Sequence, residues 1–284
     1  MSIRSIEAFH RPDTVGDAWQ LLREGGSSIR LVGGGTDLAI RCPAEVRALV
    51  DLTELGLNRI VSSEDGSIRV GAMATLTEVM EHPLTSRHAG GVIAEMLIHV
   101  GSPLLRNAAA VGGHLARGRL SDVVPVCLAL DALVVVYNGE YRSMPLETYY
   151  RRLAHREPHV LTEVVFPPLT ANAAASFLRF SRSAFDHALV NVACRADMED
   201  GMVTRARIAV GASFGPASLM PEAEAPLIGS RLEDEVIDEA GRVVERAVDV
   251  DSTWMAGDDY RRHLAATLVR RSLGDVRRRL GGEA

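Results

Sequence analysis

The spacing of apolar and polar residues changes several times along the chain, and each spacing predicts a different element. Residues 14–24 have helical spacing, with Thr14 suited to cap the start and a glycine pair suited to stop the end. Short apolar strands at 29–32 and 48–52 flank a run of three glycines. We therefore predict a small first subdomain over residues 1–57.

Hairpin turns and helices fill the next part of the chain. Asp65-Gly66 and Asn138-Gly139 are dipeptides of the kind that close tight β-hairpins. Residues 106–122 contain glycines and small residues without a clear period, so we interpret them as a loop. We predict a second subdomain over residues 58–168. Its predicted strands are 59–62, 67–70, 133–137 and 140–143, and its predicted helices start near residues 75, 91 and 122.

A proline pair at residues 167–168 predicts a domain boundary, because a different pattern follows it. Strands come first in the remaining part, two of them joined through Asp200-Gly201, and helices come afterwards. The fold class predicted for the chain is α+β, with a C-terminal α+β domain over residues 173–284 that combines an antiparallel sheet with helices. Its predicted strands are 176–182, 189–196 and 203–211, and its predicted helices are 233–248 and 258–280.

Composition and charge exclude several classes of function. The net charge is −6, from 31 basic and 37 acidic side chains, which gives no broad attraction for nucleic acid. No apolar run reaches the ~18 residues of a spanning helix, and the N-terminus lacks the apolar segment of a signal peptide. The three cysteines are too few for the thiolate set of an iron–sulfur cluster. We expect a reduced, cytoplasmic protein without a cluster of its own.

The first glycine-rich loop is Gly33-Gly34-Gly35-Thr36-Asp37-Leu38, which follows a predicted strand. Glycine lets backbone N–H groups approach an anion without a Cβ in the way. Such a loop can hold a pyrophosphate, although a simple tight turn has the same composition. The Rossmann fingerprint does not fit, because Leu38 replaces the third glycine and Pro43 leaves no room for a crossover helix.

The second glycine-rich loop is Ala110-Val111-Gly112-Gly113-His114, preceded by Arg106-Asn107 and followed by Ser121-Asp122. It combines backbone donors, a cation, and polar and acidic side chains, which together suit a phosphate and a ribose hydroxyl. We expect a Val side chain at Gly34 or Gly112 to block the approach of the ligand while leaving most of the fold intact.

Other patterns are weaker signals of function. Ser213 lies in a nucleophile-elbow sequence, but Pro216 opposes the helix that such a serine requires. His155 and His159 could form a zinc site, but Pro158 prevents a shared helical face, so a solvated loop is favoured. The arginines of the last predicted helix are interpreted as a solvated face. We assign no catalytic residue and no metal ligand.

The order and spacing of both loops and of several shorter segments resemble the FAD-binding subunit or domain of xanthine dehydrogenase and bacterial carbon monoxide dehydrogenase. The similarity covers nearly the whole chain, and its specificity comes from the arrangement of the segments rather than from any single one. The segments that carry it are residues 31–38, 98–102, 106–113, 121–132, 161–164 with Pro167, 222–224, 227–229 and 260–264.

This resemblance implies a two-subdomain FAD-binding domain of the vanillyl-alcohol-oxidase (PCMH-like) type, followed by a C-terminal domain that closes over the flavin. In that family both glycine loops hold the FAD pyrophosphate, and the serine–aspartate pair lies by the adenosine portion. Three positions depart from the family, where Asn is usual at His114, Tyr is frequent at Phe177, and Lys is frequent at Arg179. The residues that the resemblance assigns to FAD binding are Leu31, Val32, Gly33, Gly34, Gly35, Thr36, Asp37, Leu38, Arg106, Asn107, Ala110, Val111, Gly112, Gly113, His114, Ser121, Asp122, Leu161, Phe177 and Arg179.

The function implied by the resemblance is electron transfer within a hetero-oligomer. A molybdopterin subunit oxidises the substrate, an iron–sulfur subunit passes electrons to FAD, and the flavin reduces an acceptor. This chain is then a flavoprotein oxidoreductase subunit with no membrane span and no nucleic acid partner. The alternative is a stand-alone protein of the same fold whose pocket binds another ligand or supports a different reaction. His114 and Phe177 are the residues that support this alternative.

Overall fold

The computed structural model describes residues 6–154, 156–183, 186–212, 215–251 and 256–281, and it contains three separate β-sheets. The N-terminal sheet has the order β1-β3-β2, and its strands are parallel. Helix α1 begins after the cap residue Thr14 and packs against this sheet. The elements are β1 (Ala8–His10), α1 (Val15–Gly25), β2 (Ile29–Val32), α2 (Leu38–Arg41) and β3 (Ala48–Asp51).

The middle part of the chain forms a five-stranded antiparallel sheet covered by short helices. Its strand order is β4-β5-β8-β6-β7, so the last strand of this part returns to the centre of the sheet. The strands are β4 (Ile60–Ser62), β5 (Ile68–Gly71), β6 (Leu133–Tyr137), β7 (Tyr141–Pro145) and β8 (Val160–Phe166). The helices are α3 (Leu76–Glu81), α4 (Pro83–Ser86), α5 (Val92–Leu97), α6 (Pro103–Ala108), α7 (Val111–Arg117), α8 (Val123–Ala129) and α9 (Leu146–Arg152).

The C-terminal part is a four-stranded antiparallel sheet with two long helices packed against it. The strand order is β12-β11-β10-β9, and residues 167–172 connect this sheet to β8. The elements are β9 (Ala173–Phe180), β10 (Val190–Glu199), β11 (Met202–Gly211), β12 (Ser218–Leu219), α10 (Pro221–Glu224), α11 (Asp234–Ala247) and α12 (Asp258–Leu280).

One hydrophobic cluster joins the middle and C-terminal parts. It contains most of the buried residues of the five-stranded sheet and its helices, and also Phe177 of β9, Ala193 of β10 and Ala209 of β11. The inner face of the last sheet therefore packs against α5 and α8, while α11 and α12 cover its other face. None of the helices in the described ranges is long and apolar enough to cross a lipid bilayer.

The structure corrects the interpretation of residues 106–122 as a loop. This segment contains the second half of α6 and all of α7, which have only six and seven residues. Ser102 caps α6, and Pro103 occupies its first turn, which is a common start for a helix. So short an element shows too few turns for a hydrophobic period to appear in the sequence. The exclusion of a Rossmann unit is supported, since α2 is a single turn rather than a crossover helix.

Candidate cofactor-binding site

The first glycine-rich loop begins where β2 ends and lies at the edge of the parallel sheet. Gly35 has a φ of 66°, a conformation that favours glycine. The backbone N–H groups of residues 33–37 donate to no acceptor among the described residues. Buried or half-buried N–H groups normally find a partner, so this row of free donors fits an anionic ligand.

The second glycine-rich loop forms the start of α7, and most of its donors already have partners. The N–H of Val111 donates to the Ala74 carbonyl at 3.0 Å, and the N–H of Gly112 donates to the Ala72 carbonyl at 2.8 Å. Ala110 also forms a β-bridge with Thr75. These contacts fix the second loop against the chain that precedes α3, so its main role is to position the wall that faces the first loop.

Gly34 and Gly112 each lie against neighbouring protein atoms, with no room for a side chain. A Cβ built on Gly34 would lie 1.6 Å from the carbonyl oxygen of Ala108, and one on Gly112 would lie 2.6 Å from the Cβ of Ala72. A Cβ on Gly113 would meet no heavy atom of the described residues within 4 Å. The expectation that Val at Gly34 or Gly112 leaves most of the fold intact is therefore wrong, because both positions are filled by protein atoms.

Arg106 and Asn107 organise the chain before the second loop. The Arg106 side chain is buried, and its Nη1 donates to the carbonyls of Ile98, Val100 and Gly101 at 3.0–3.3 Å. The Asn107 Oδ1 accepts a hydrogen bond from the Thr77 hydroxyl at 2.6 Å. The cation that the sequence offers for a phosphate is thus used to hold the turn between α5 and α6.

Asp37, at the end of the first loop, is surrounded by basic side chains. Its Oδ1 lies 2.7 Å from Arg41 Nη1 and 3.2 Å from Arg117 Nη1. Arg117 is the last residue of α7, so this ion pair connects the first loop to the helix that carries the second loop. With two arginines beside one carboxylate, this part of the site has an excess of positive charge.

His114 is an uncharged histidine at neutral pH. Burial lowers its pKa to about 4, and the nearby Arg117 acts in the same direction. The residue is half-buried, and its Nδ1 lies 3.3 Å from the hydroxyl of the buried Ser121. The imidazole can therefore donate or accept a hydrogen bond in the site without adding charge.

The FAD-free protein is expected to lose stability as the pH falls from 7 to 5, partly because of His114. The unfolded chain takes up a proton near the ordinary pKa of 6.5, whereas the folded chain resists protonation until about 4. Stability therefore rises with pH between these values, and we expect His114 to contribute about 2 kcal/mol of the loss.

Urea unfolding of the wild-type and His114→Asn chains at both pH values measures this contribution. The pKa of His88 is also lowered to about 4, mainly by burial, so the variant should keep part of the slope. A variant with the full wild-type slope would contradict the assignment of a half-buried His114 that is neutral at pH 7.

A polar network connects the site to the C-terminal sheet. Asp122 Oδ2 lies 3.0 Å from Arg179 Nη1, and the exposed fractions of the two side chains are only 10% and 8%. Asn191 Nδ2 donates to Asp122 Oδ1 at 2.7 Å and to the Ser121 carbonyl at 3.3 Å. Arg179 also donates to the His99 carbonyl at 2.8 Å. The hydrogen-bond and ion-pair partners of the Asp122 carboxylate thus belong to the C-terminal sheet, on β9 and β10.

Four of the remaining predicted residues lie in β-strands, and the fifth, Leu38, begins a helix. Phe177 is buried on β9, and its ring centroid is 6.5 Å from that of His99. Leu161 is buried in β8, opposite Val136. Leu31 and Val32 belong to β2, and Leu38 begins α2. Asn191 and Arg117 were missed by the sequence interpretation, since nothing in their local sequence marks them as neighbours of the loops.

The described residues contain no cluster of side chains that could hold a metal ion. His155 and Ser213 lie outside the described residues, so neither the suggested zinc pair nor the nucleophile elbow can be placed. His159 bonds instead to the Tyr149 hydroxyl at 3.0 Å. Cys42, Cys127 and Cys194 are buried free thiols.

Two family models together cover most of the chain. Residues 4–169 match the FAD-binding domain in molybdopterin dehydrogenase. This chain belongs to that family. Residues 175–276 match the C-terminal domain of the carbon monoxide dehydrogenase flavoprotein. The predicted resemblance, the α+β fold of an FAD-binding domain followed by a C-terminal domain, and FAD as the cofactor are confirmed.

Individual relatives of the family match along almost their full length. A putative xanthine dehydrogenase FAD-binding subunit of Escherichia coli K12 is 26% identical, over 97% of this chain and 98% of its own. The 6-hydroxypseudooxynicotine dehydrogenase complex subunit alpha of Paenarthrobacter nicotinovorans is 30% identical, over 92% and 91%. The solved carbon monoxide dehydrogenase of Hydrogenophaga pseudoflava has the same fold, with a TM-score of 0.89 over 95% of this chain and 97% of its own, at 23% identity.

Proposed function

We propose that this chain is the electron-transfer subunit of a molybdenum hydroxylase or dehydrogenase complex, which takes electrons from an iron–sulfur subunit and passes them to an acceptor. The observation that carries the proposal is the row of free N–H groups at residues 33–37. Family membership gives the ligand of this row its identity, since the matching domain binds FAD. Such a row suits a pyrophosphate, because consecutive backbone N–H groups of a glycine-rich turn can bind one anion together.

The residues of the chain have distinct roles in this proposal. The N–H groups of residues 33–37 bind the pyrophosphate, and the second loop forms the opposite wall. Asp122 and Arg179 hold the C-terminal sheet against the site, where Phe177 supplies an apolar surface. When bound, FAD accepts electrons singly and releases them in pairs, and the protein's contribution is to bind and orient it.

The described residues offer no site for a metal ion or an iron–sulfur cluster, which supports partner subunits that hold these groups. The three thiols are buried in different parts of the fold, in clusters that do not meet, and no group of side chains there could hold a metal ion. Several relatives are named as a medium subunit, a medium chain or a subunit of a complex. We therefore propose an iron–sulfur subunit and a molybdopterin subunit as partners.

We expect the chain to co-purify from its native host with one protein that contains iron and another that contains molybdenum. The purified complex would be separated by size, its subunits identified by mass spectrometry, and its metals measured by elemental analysis. The cofactor content of the isolated chain serves as the control, and it should include FAD but neither metal.

A native protein that runs alone, without iron or molybdenum, and still converts a substrate would contradict the proposal. That result would favour the stand-alone alternative, in which the fold is kept but the pocket has another use. A stable three-protein complex that has lost its metals would not favour the stand-alone alternative, because the two partner subunits would still be identified.

A further inference from the structure

Arg117 lies at the far end of the wall that faces the first loop. The chain before α7 touches this loop at Gly34, through the Ala108 carbonyl. The helix then ends at Arg117, whose Nη1 is 3.2 Å from the carboxylate of Asp37. The segment from Ala108 to Arg117 therefore contacts the first loop at Gly34 and again at Asp37. It places a cation at the Asp37 end of the row of free N–H groups.

The hydrogen-bonding capacity of Arg117 is not used up by the protein. Only 17% of its side chain is exposed, and its Nε is buried without a partner among the described residues. Asp37 is shared with Arg41, so one carboxylate faces two guanidinium groups. Burial lowers the pKa of Arg117, and Asp37 only opposes this shift. A half-buried guanidinium with incomplete compensation is stabilised by a further anion.

We infer that Arg117 is a pyrophosphate-binding residue, which Asp37 holds in place beside the N–H groups of residues 33–37. This inference rests on the proposed FAD site and adds a side chain to it. A guanidinium offers several donors in a fixed plane and suits phosphate oxygens. Asp37 would otherwise repel a phosphate, and the pairing with Arg41 and Arg117 reverses the sign of the local charge.

A comparison of two flavins that differ in charge can test the role of Arg117. FAD carries the pyrophosphate, whereas riboflavin has the same ring system without any phosphate. A residue that binds the pyrophosphate affects only the affinity for FAD. A residue that merely supports the fold of the site affects both ligands to a similar extent.

The test is a titration of the FAD-free chain with FAD and with riboflavin, in which binding is monitored by the quenching of flavin fluorescence. The variants are Arg117→Gln, Arg117→Lys and, as a control with the same change of net charge, Arg242→Gln on α11. Arg242 is exposed, and among the described residues its ion-pair partner is Glu239 on its own helix. Thermal unfolding of each ligand-free variant checks that it is folded.

We expect Arg117→Gln to weaken FAD binding roughly tenfold and to leave riboflavin binding within about twofold. When NaCl is raised from about 0.05 to about 0.5 M, the FAD affinity of this variant should fall less than that of the wild type. Arg117→Lys should retain part of the FAD affinity, and Arg242→Gln should bind both ligands like the wild type. If the Gln variant does not fold, the ratio of FAD to riboflavin affinity in the Lys variant decides, and it should fall below the wild-type ratio.

Equal weakening of FAD and riboflavin, or wild-type FAD affinity in the folded Gln variant, would overturn the role of Arg117. In either case the wild-type chain still binds FAD, and the proposed function stands. A wild-type chain that binds no FAD would overturn the proposed function and, with it, this inference.

Discussion

Replacement of Asp122 by Ala is expected to lower the free energy of unfolding of the FAD-free chain by about 3–5 kcal/mol. Asp122 pairs with Arg179 at 3.0 Å, in a place where both side chains are at least nine-tenths buried. Burial raises the pKa of Asp122, while Arg179 and Asn191 favour its charged form. Removal of the carboxylate leaves a guanidinium and an amide without their partner inside the protein, and urea unfolding measures the cost.

A surface ion pair provides the matched control. Glu147 and Arg151 lie one turn apart on α9 and are both exposed, so Glu147→Ala should cost less than about 1 kcal/mol. The double variant Asp122→Ala/Arg179→Ala should cost less than the sum of the single variants, because the second substitution removes the uncompensated charge. A cost for Asp122→Ala no larger than that of Glu147→Ala would show that the pair does not hold the domains together.

Gly34→Ala is expected to destabilise the chain by about 1–3 kcal/mol or more, and Gly112→Ala should act in the same direction. The added Cβ of Gly34 would lie 1.6 Å from the Ala108 carbonyl oxygen, so the first loop and the end of α6 must move apart. FAD binding should weaken as a consequence of this movement. Chemical unfolding and FAD titration of the same variants measure both effects.

Gly113 is the control for these two glycines. It follows Gly112 on the second loop, but a Cβ there would enter open space. Gly113→Ala should leave the stability within about 1 kcal/mol of the wild type, since Ala also suits the helical conformation better than Gly. If Gly34→Ala proved as stable as Gly113→Ala, the close contact between the first loop and the end of α6 would be contradicted.

Local signals allowed much of the fold to be predicted. The Asp200-Gly201 turn has a positive φ at both residues, as a tight hairpin requires, and the strands on either side pair as expected. Thr75 and Glu78 form a capping box at the start of α3, near the residue where this helix is predicted to begin. The long C-terminal helix runs to Leu280, as its apolar spacing predicts. Each of these features is determined within a few residues.

Features set by distant contacts could not be predicted. Helix α7 is fixed by the carbonyls of Ala72 and Ala74, and β1 has only three residues that pair with β3. A short apolar segment of this kind carries no period of its own, and its conformation is decided by the chain it meets. The interpretation of residues 106–122 as a loop failed for this reason.

In the candidate site, too, local features could be predicted from the sequence and distant contacts could not. The glycine composition of the loops pointed to a ligand, but it could not show that Gly34 faces a protein carbonyl while Gly113 faces open space. The ion pair of Asp122 with Arg179 and the ion pair of Asp37 with Arg117 join residues of different elements. Such pairs become visible only once the sheets and helices are assembled.

Identification of the cofactor bound to the purified chain shows whether this protein is a flavoprotein. The purified chain is denatured, the released cofactor is separated by chromatography against FAD, FMN and NAD standards, and the absorption spectrum is recorded before release. We expect absorption bands at about 370 and about 450 nm and a released cofactor that is FAD. A chain that releases only FMN, or that takes up no flavin when incubated with FAD, would contradict it.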